Sequence, residues 1–213
     1  STGPISWWNG IKVDYDRNKK TIALSQHNRI REVLQRFGMT DCSTVTTPFD
    51  GDNLQSATAA EIFTGENLKR YQSLVGNLMY ISVTTEVCIQ FAVNQCAAFM
   101  HAPGPQHWTA AKRILRYLKG HLHLNRVVSY HASPSASSSA VSMVFETYSD
   151  ASWGSSIEDG RSITGSLVML NGGPIAWASK KQRTVALSSA ESEYMALCDT
   201  VKLLMALINI ADD

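Results

Sequence analysis

The sequence predicts a mixed α/β chain of the α+β type: a mainly helical N-terminal part opened by a β-hairpin, then a small sheet of three strands with one helix. Three observations predict it. Apolar residues recur at helical spacing through much of residues 25–119, a serine-rich stretch then breaks the pattern, and strand-like runs separated by glycine turns lead into a last helical repeat.

Taken in order, Ile11–Tyr15 and Thr21–Leu24 read as short strands joined by the turn Asp16-Arg17-Asn18-Lys19-Lys20. Ser25 reads as a helix cap, Ile30, Val33, Leu34 and Phe37 as the apolar face that follows, and Gly38 as its stop. Residues 41–67 are irregular. Helices are expected over Arg70–Val83 and Cys88–Met100, and another over His107–Lys119 after the breaker Pro103-Gly104-Pro105. In this last one Trp108, Ala111, Leu115 and Leu118 form an apolar stripe, and Lys112, Arg116 and Lys119 a basic one. A row of cations can track a phosphate backbone without reading bases; a solvated cationic face is the alternative.

Small polar residues fill Ser129–Ser142 and cannot bury enough surface to order themselves, so 129–142 reads as a linker between a region 1–128 and a region 143–213. Strands are expected at Val141–Tyr148, Ser162–Leu170 and Ile175–Ser179, with turns at Glu158-Asp159-Gly160 and Asn171-Gly172-Gly173, the latter a strong hairpin signal. A final helix from about Ser188 carries Ala190, Tyr194, Leu197, Val201, Leu204 and Ile208 along one face.

Composition narrows the class. With 44% hydrophobic and 17% charged residues the chain reads as soluble and globular, and no apolar run of membrane-spanning length stands out. Four cysteines without metal-ligand spacing read as reduced thiols, and the first residues lack the pattern of a secretory signal, so an intracellular site is expected. Residues 1–128 hold 14 Lys/Arg against 9 Asp/Glu, and residues 141–213 hold 5 against 9. The basic part suits phosphates and the acidic part suits divalent cations.

Two carboxylates stand out. Asp150 follows the first strand of the second region, where a strand end can hold it rigidly. On a helical wheel of about 100° per residue, Glu193 lies about 60° from the centre of the apolar stripe and Glu191 about 100° away on the other side. Glu193 therefore borders the expected buried face. Two carboxylates so placed make half of a hard-cation site, and ordinary surface acids are the alternative.

Four motifs in the second region, Tyr148-Ser149-Asp150-Ala151-Ser152-Trp153, Arg161-Ser162-Ile163-Thr164-Gly165, Trp177-Ala178-Ser179-Lys180-Lys181-Gln182 and Ala186-Leu187-Ser188-Ser189-Ala190-Glu191-Ser192-Glu193-Tyr194, together resemble the RNase H region of copia-type retrotransposon Pol polyproteins. Upstream, the runs 71–80 and 111–120 resemble the segment that joins that family's reverse transcriptase to its RNase H, and Leu24-Ser25-Gln26 and Arg36-Phe37-Gly38-Met39 resemble the end of the polymerase.

The resemblance implies an incomplete RNase H-like mixed sheet and cleavage of RNA in RNA–DNA hybrids with Mg2+. Asp150 and Glu193 fall on catalytic, metal-holding positions. Lys112, Arg116 and Lys119, with Lys180 and Lys181 as a second group, are the nucleic-acid-binding candidates. Other Pol segments are implied partners, no membrane is, and the place of action is the cytoplasm, in a virus-like particle, or the nucleus.

Departures from the family pattern shape the expectation further. No Tyr-x-Asp-Asp polymerase motif occurs, Thr85-Glu86-Val87-Cys88 replaces a Thr-Arg-Pro-Asp segment, and two further RNase H carboxylates are not met before Asp213. The isolated chain is therefore expected to be inactive as a polymerase and as a nuclease. A non-catalytic nucleic-acid-binding module and a degenerate relic of a retroelement remain as alternatives.

Overall fold

A computed structural model describes residues 5–51, 54–122, 126–129, 143–156 and 159–212. It divides into two compact units, one of Trp7–Lys12 with Ser25–Asn125 and one of Ser1–Ser6, Val13–Leu24 and Arg126–Asp213. As expected, the chain is mixed α/β. A first sheet takes the order β1 (Trp7–Trp8), β2 (Ile11–Asp16), β3 (Thr21–Ser25), β4 (Arg126–Ser129), with β4 antiparallel to β3. The expected linker lies outside the described residues except for Ser129, the last residue of β4.

The turn from β2 to β3 closes on Asp16, whose Oδ1 accepts the backbone N–H groups of Asn18 and Lys19, each at 3.0 Å. The Lys19 bond leads the causes that hold the Asp16 carboxyl below its usual range.

In the helical unit, α1 (His27–Arg36), α2 (Gly65–Thr84), a 3₁₀ turn (Val87–Ile89), α3 (Gln90–Ala97) and α4 (Pro105–Gly120) enclose one core. Tyr71, Leu74, Val75, Leu78, Ile81, Ile89, Ile114 and Leu115 are fully buried there. The Tyr71 hydroxyl donates to the Cys96 carbonyl (2.8 Å), and burial pushes the Cys96 thiol up to about 12.

Gly38 ends α1 as its sequence position predicts. At φ 68 it frees its own N–H to reach the Gln35 carbonyl (3.0 Å) and lets Met39 N–H reach Leu34 O (2.8 Å). The start of α1 corrects the expectation: Ser25 closes β3, and Gln26 holds the cap position with no side-chain cap bond. The Gln26 side chain is committed elsewhere, its Oε1 accepting the hydroxyls of Thr84 (2.7 Å) and Thr85 (2.9 Å) at the end of α2.

The other unit carries a second sheet, order β5 (Phe145–Ser152), β6 (Ile163–Leu170), β7 (Gly173–Lys181), antiparallel throughout. Asn171 and Gly172, at φ 48 and φ 81, make the two-residue turn between β6 and β7. Both angles lie in the left-handed region that such a hairpin requires, which is why the Asn-Gly pair sits there. Asn171 also holds the start of β5: its Oδ1 accepts Val144 N–H (2.9 Å) and its N–H reaches Val144 O (2.9 Å).

Helix α5 (Ser189–Asp212) packs on β5 and β6. The face it buries differs from the predicted stripe. Ser192, Ala196 and Thr200 are buried, whereas Tyr194, Leu197 and Val201 are exposed. Small residues at every fourth position let the helix approach the sheet closely enough for Thr200 Oγ1 to donate to Ser166 Oγ (2.7 Å). A wheel weighted by hydrophobicity selects a side about 120° away.

By length and composition alone, Ser189–Ala211 is also long and apolar enough to cross a membrane, an 18-residue stretch of it reaching a mean hydropathy of 1.5. This corrects the expectation that no such stretch exists. Asp199 and Lys202 interrupt the run without lowering its average enough to remove it.

Candidate functional site

Asp150 lies inside β5 rather than just past its end, because β5 stays paired with β6 as far as Ser152↔Ile163. Antiparallel partners point to the same side of a sheet. Thr164 and Ser166 face α5, as their bonds to Gln182 (3.1 Å) and Thr200 (2.7 Å) show, so their partners Ala151 and Ser149 face it too. Asp150, between them and opposite Gly165, points to the other face.

Glu193 projects from the first turns of α5. That helix end is fixed over the same end of the sheet by Gln182, whose Nε2 donates to both Ser192 O (2.9 Å) and Thr164 Oγ1 (3.1 Å). On the wheel Glu193 lies about 160° from Met195. Met195, Cys198 and Lys202 line a cleft on the β7 side, so Glu193 occupies the flank nearer β5. The two exposed carboxylates thus flank the outer edge of β5 from opposite faces, at one end of the sheet. Among the described residues β5 has no strand partner on that edge, and no group of three or more His, Cys, Asp or Glu could hold a metal.

Glu191 has a separate task. Its Oε2 accepts Leu187 N–H (2.7 Å) while its own N–H reaches Ser188 Oγ (3.1 Å), a reciprocal cap that holds the start of α5. The spacing Ser188-x-x-Glu191 carried this signal in the sequence.

The basic stripe of α4 is largely engaged with the chain itself. Arg116 donates to Ser43 O (2.8 Å) and Ser43 Oγ (2.9 Å), Lys119 to Cys42 O (2.6 Å), and Lys112 stands 5.9 Å from the Trp108 ring centre. Arg113, not singled out beforehand, binds Thr47 O (3.2 Å) and Thr47 Oγ1 (2.9 Å) and pairs with Asp50. These side chains clamp the irregular segment 42–50 onto α4.

Lys180 and Lys181 diverge. Lys181 reaches Asp159 (3.4 Å), whereas Lys180, opposite Thr164, shares the sheet face that α5 covers. It lines a cleft of about 620 Å³ walled by β6, β7 and α5, together with Arg183 and Lys202. Neither of those two falls in a sequence motif, since one lies past the end of β7 and the other two turns beyond the last motif.

The chain is 35% identical over 204 residues to the retrovirus-related Pol polyprotein from transposon TNT 1-94 of Nicotiana tabacum, a match covering 94% of this chain. It is 35% identical over 199 residues to the corresponding polyprotein from transposon RE1 of Arabidopsis thaliana, covering 89%. This chain belongs to the Pol polyproteins of copia-type retrotransposons. The Pol chain spans only 15% of the tobacco polyprotein and 12% of the Arabidopsis one. It is also 42% identical over 132 residues to the secreted RxLR effector protein 161 of Plasmopara viticola, covering 62% of this chain and 87% of that one. No family model and no solved structure matches it.

Proposed function

We propose that this Pol chain supplies the lead-in and first part of an RNase H that acts on RNA–DNA hybrids, and that it needs other Pol segments for catalysis. The observation that carries the proposal is the likeness to Pol polyproteins over 94% of the chain, with the four motifs falling on β5, β6, β7 and α5. Asp150 and Glu193 are the proposed Mg2+ carboxylates. Their position on either side of the open β5 edge suits a site completed by carboxylates on an element added there. One carboxylate on the strand face turned away from α5 and one on α5 itself cannot by themselves hold a pair of ions on one phosphate, so the chain alone is inactive.

Cleavage of a labelled RNA–DNA hybrid with Mg2+ tests this. The chain alone should leave the hybrid intact, and magnesium-dependent cleavage abolished by Asp150→Asn would overturn the inactivity. In a complete Pol containing these residues, Asp150→Asn and Glu193→Gln should each abolish cleavage, whereas Glu191→Gln should lower stability and leave the chemistry. Equal losses of cleavage from Glu191→Gln and Glu193→Gln, with the fold intact, would remove Glu193 from the site.

A further inference from the structure

The cleft between α5 and the β6–β7 hairpin carries more unpaired positive charge than any feature the sequence motifs single out. Its walls bear Lys180, Lys181, Arg183 and Lys202 against one carboxylate, Asp199, and Thr164, Ser166 and Gln182 also line it. All four cations are exposed, as is Asp199. Lys181 is drawn to Asp159 and Lys202 to Asp199 (3.2 Å). Lys180 and Arg183 make no ion pair or hydrogen bond among the described residues, so the cleft keeps two uncompensated charges beside a third that is held only by an exposed pair. An exposed pair of that kind exchanges readily with another anion, because solvent screening leaves it worth little.

The lining is suited to a sugar-phosphate strand rather than to a bare ion. Gln182 is only 5% exposed, and its Nε2 is fixed as donor because the Ser192 carbonyl can only accept. That leaves Oε1 as a buried acceptor without a partner, on a residue that lines a cleft with a cationic rim. A buried acceptor left unmatched is costly, and a hydroxyl donor brought into the cleft would relieve it. Phosphates suit the lysines and arginine, and a ribose hydroxyl would suit the acceptor.

The α4 stripe offers a contrast. Arg113, Arg116 and Lys119 already bond to the chain's own carbonyl and hydroxyl oxygens, so a phosphate would have to displace internal partners.

We propose that Lys180, Arg183 and Lys202 form the phosphate-backbone contact of this chain, that the strand they grip is the RNA of the hybrid, and that α4 takes no direct part. The inference deepens the function proposed above and rests on its hybrid partner.

Fluorescence anisotropy of a labelled RNA–DNA hybrid against salt concentration, on the full chain, tests it. The variant Lys180→Ala/Arg183→Ala/Lys202→Ala should bind about ten-fold more weakly or worse and lower the salt slope by roughly two to three units, near one for each phosphate no longer neutralised. The charge-keeping variant Lys180→Arg/Arg183→Lys/Lys202→Arg should bind as the parent does, which separates the removal of charge from a failure to fold. The parent should also bind the hybrid more tightly than the all-DNA duplex of the same sequence. An unchanged slope in the alanine variant, or a larger fall from Lys112→Ala/Arg116→Ala/Lys119→Ala, would overturn the cleft while leaving the hybrid partner standing. Failure of the parent to bind hybrid at all would overturn both.

Discussion

The helical unit and the unit of β5–β7 and α5 treat their apolar residues in opposite ways. In the first, α1 to α4 bury aliphatic side chains completely, from Leu74 and Leu78 on α2 to Ile114 and Leu115 on α4. In the second, the buried hydrophobic residues among those described are small, Val168, Ala186 and Ala196, and many large ones stand in solvent, including Tyr148, Trp153, Leu187, Tyr194 and Met205. The helical unit satisfies itself. The sheet unit is held by hydrogen bonds such as Thr200 to Ser166 and Gln182 to Ser192, and leaves an apolar side of α5 without cover among the described residues. Polar bonds fix geometry but contribute less net stability than a filled core.

The largest expected effect tests that difference. Leu115→Ala removes a fully buried side chain from the helical core and should cost about 2–5 kcal/mol in urea denaturation of the full chain. Val168→Ala is a smaller truncation in the thinner core and should cost about 0.5–2 kcal/mol. Equal losses would erase the contrast.

A second effect belongs to the helical unit and to acid. His107 is fully buried, packs against Phe99 in a tilted arrangement with ring centres 4.3 Å apart, and caps its own helix by accepting Gly104 N–H at Nδ1 (2.8 Å). Burial lowers its pKa below 6.5 in the folded chain. The unfolded chain then binds the proton more readily. Stability from this group is complete above about pH 6.5 and falls as the pH drops from there towards the folded value. The urea midpoint should fall between pH 7 and pH 5, and less so in His107→Gln; identical profiles for the two proteins would remove His107 as the cause.

The smallest effect lies on α5. Replacing exposed Leu197 and Val201 with Gln should change stability by no more than about 0.5 kcal/mol each, since both project from the side of the helix away from the sheet. If the uncovered side drives association, the same changes should reduce the mass measured by light scattering at high protein concentration. A loss of several kcal/mol would show that the stripe is part of a core after all.

Legibility followed the same division. Gly38, the Asn171-Gly172 turn and the apolar face of α1 were readable because each is a local rule written in adjacent residues. The packed face of α5 is not legible as an apolar stripe because it is made of Ser192, Ala196 and Thr200, which allow closeness rather than supply hydrophobicity. The end of β5 is hidden because nothing in Asp150-Ala151-Ser152 marks that the strand runs on past Asp150 to Ser152. The clamp on residues 42–50 was hidden for another reason. Arg116 and Ser43 are far apart in the chain, and one sequence does not reveal which loop oxygen an arginine will meet.

The turn at Asn171-Gly172 also has a consequence in time. Two residues whose angles already suit a hairpin make a very short loop to close, so the closure entropy is small. Hairpins of this kind form on the order of 1–10 μs, long before distant segments meet. The β6–β7 ladder, with its irregularity at Val168/Met169, is thus expected to set its register first and serve as the template on which β5 and α5 arrive. Because a slip of one residue would turn Lys180 to the wrong face of the sheet, the backbone angles of one dipeptide decide, before the fold is complete, which side of the sheet becomes basic.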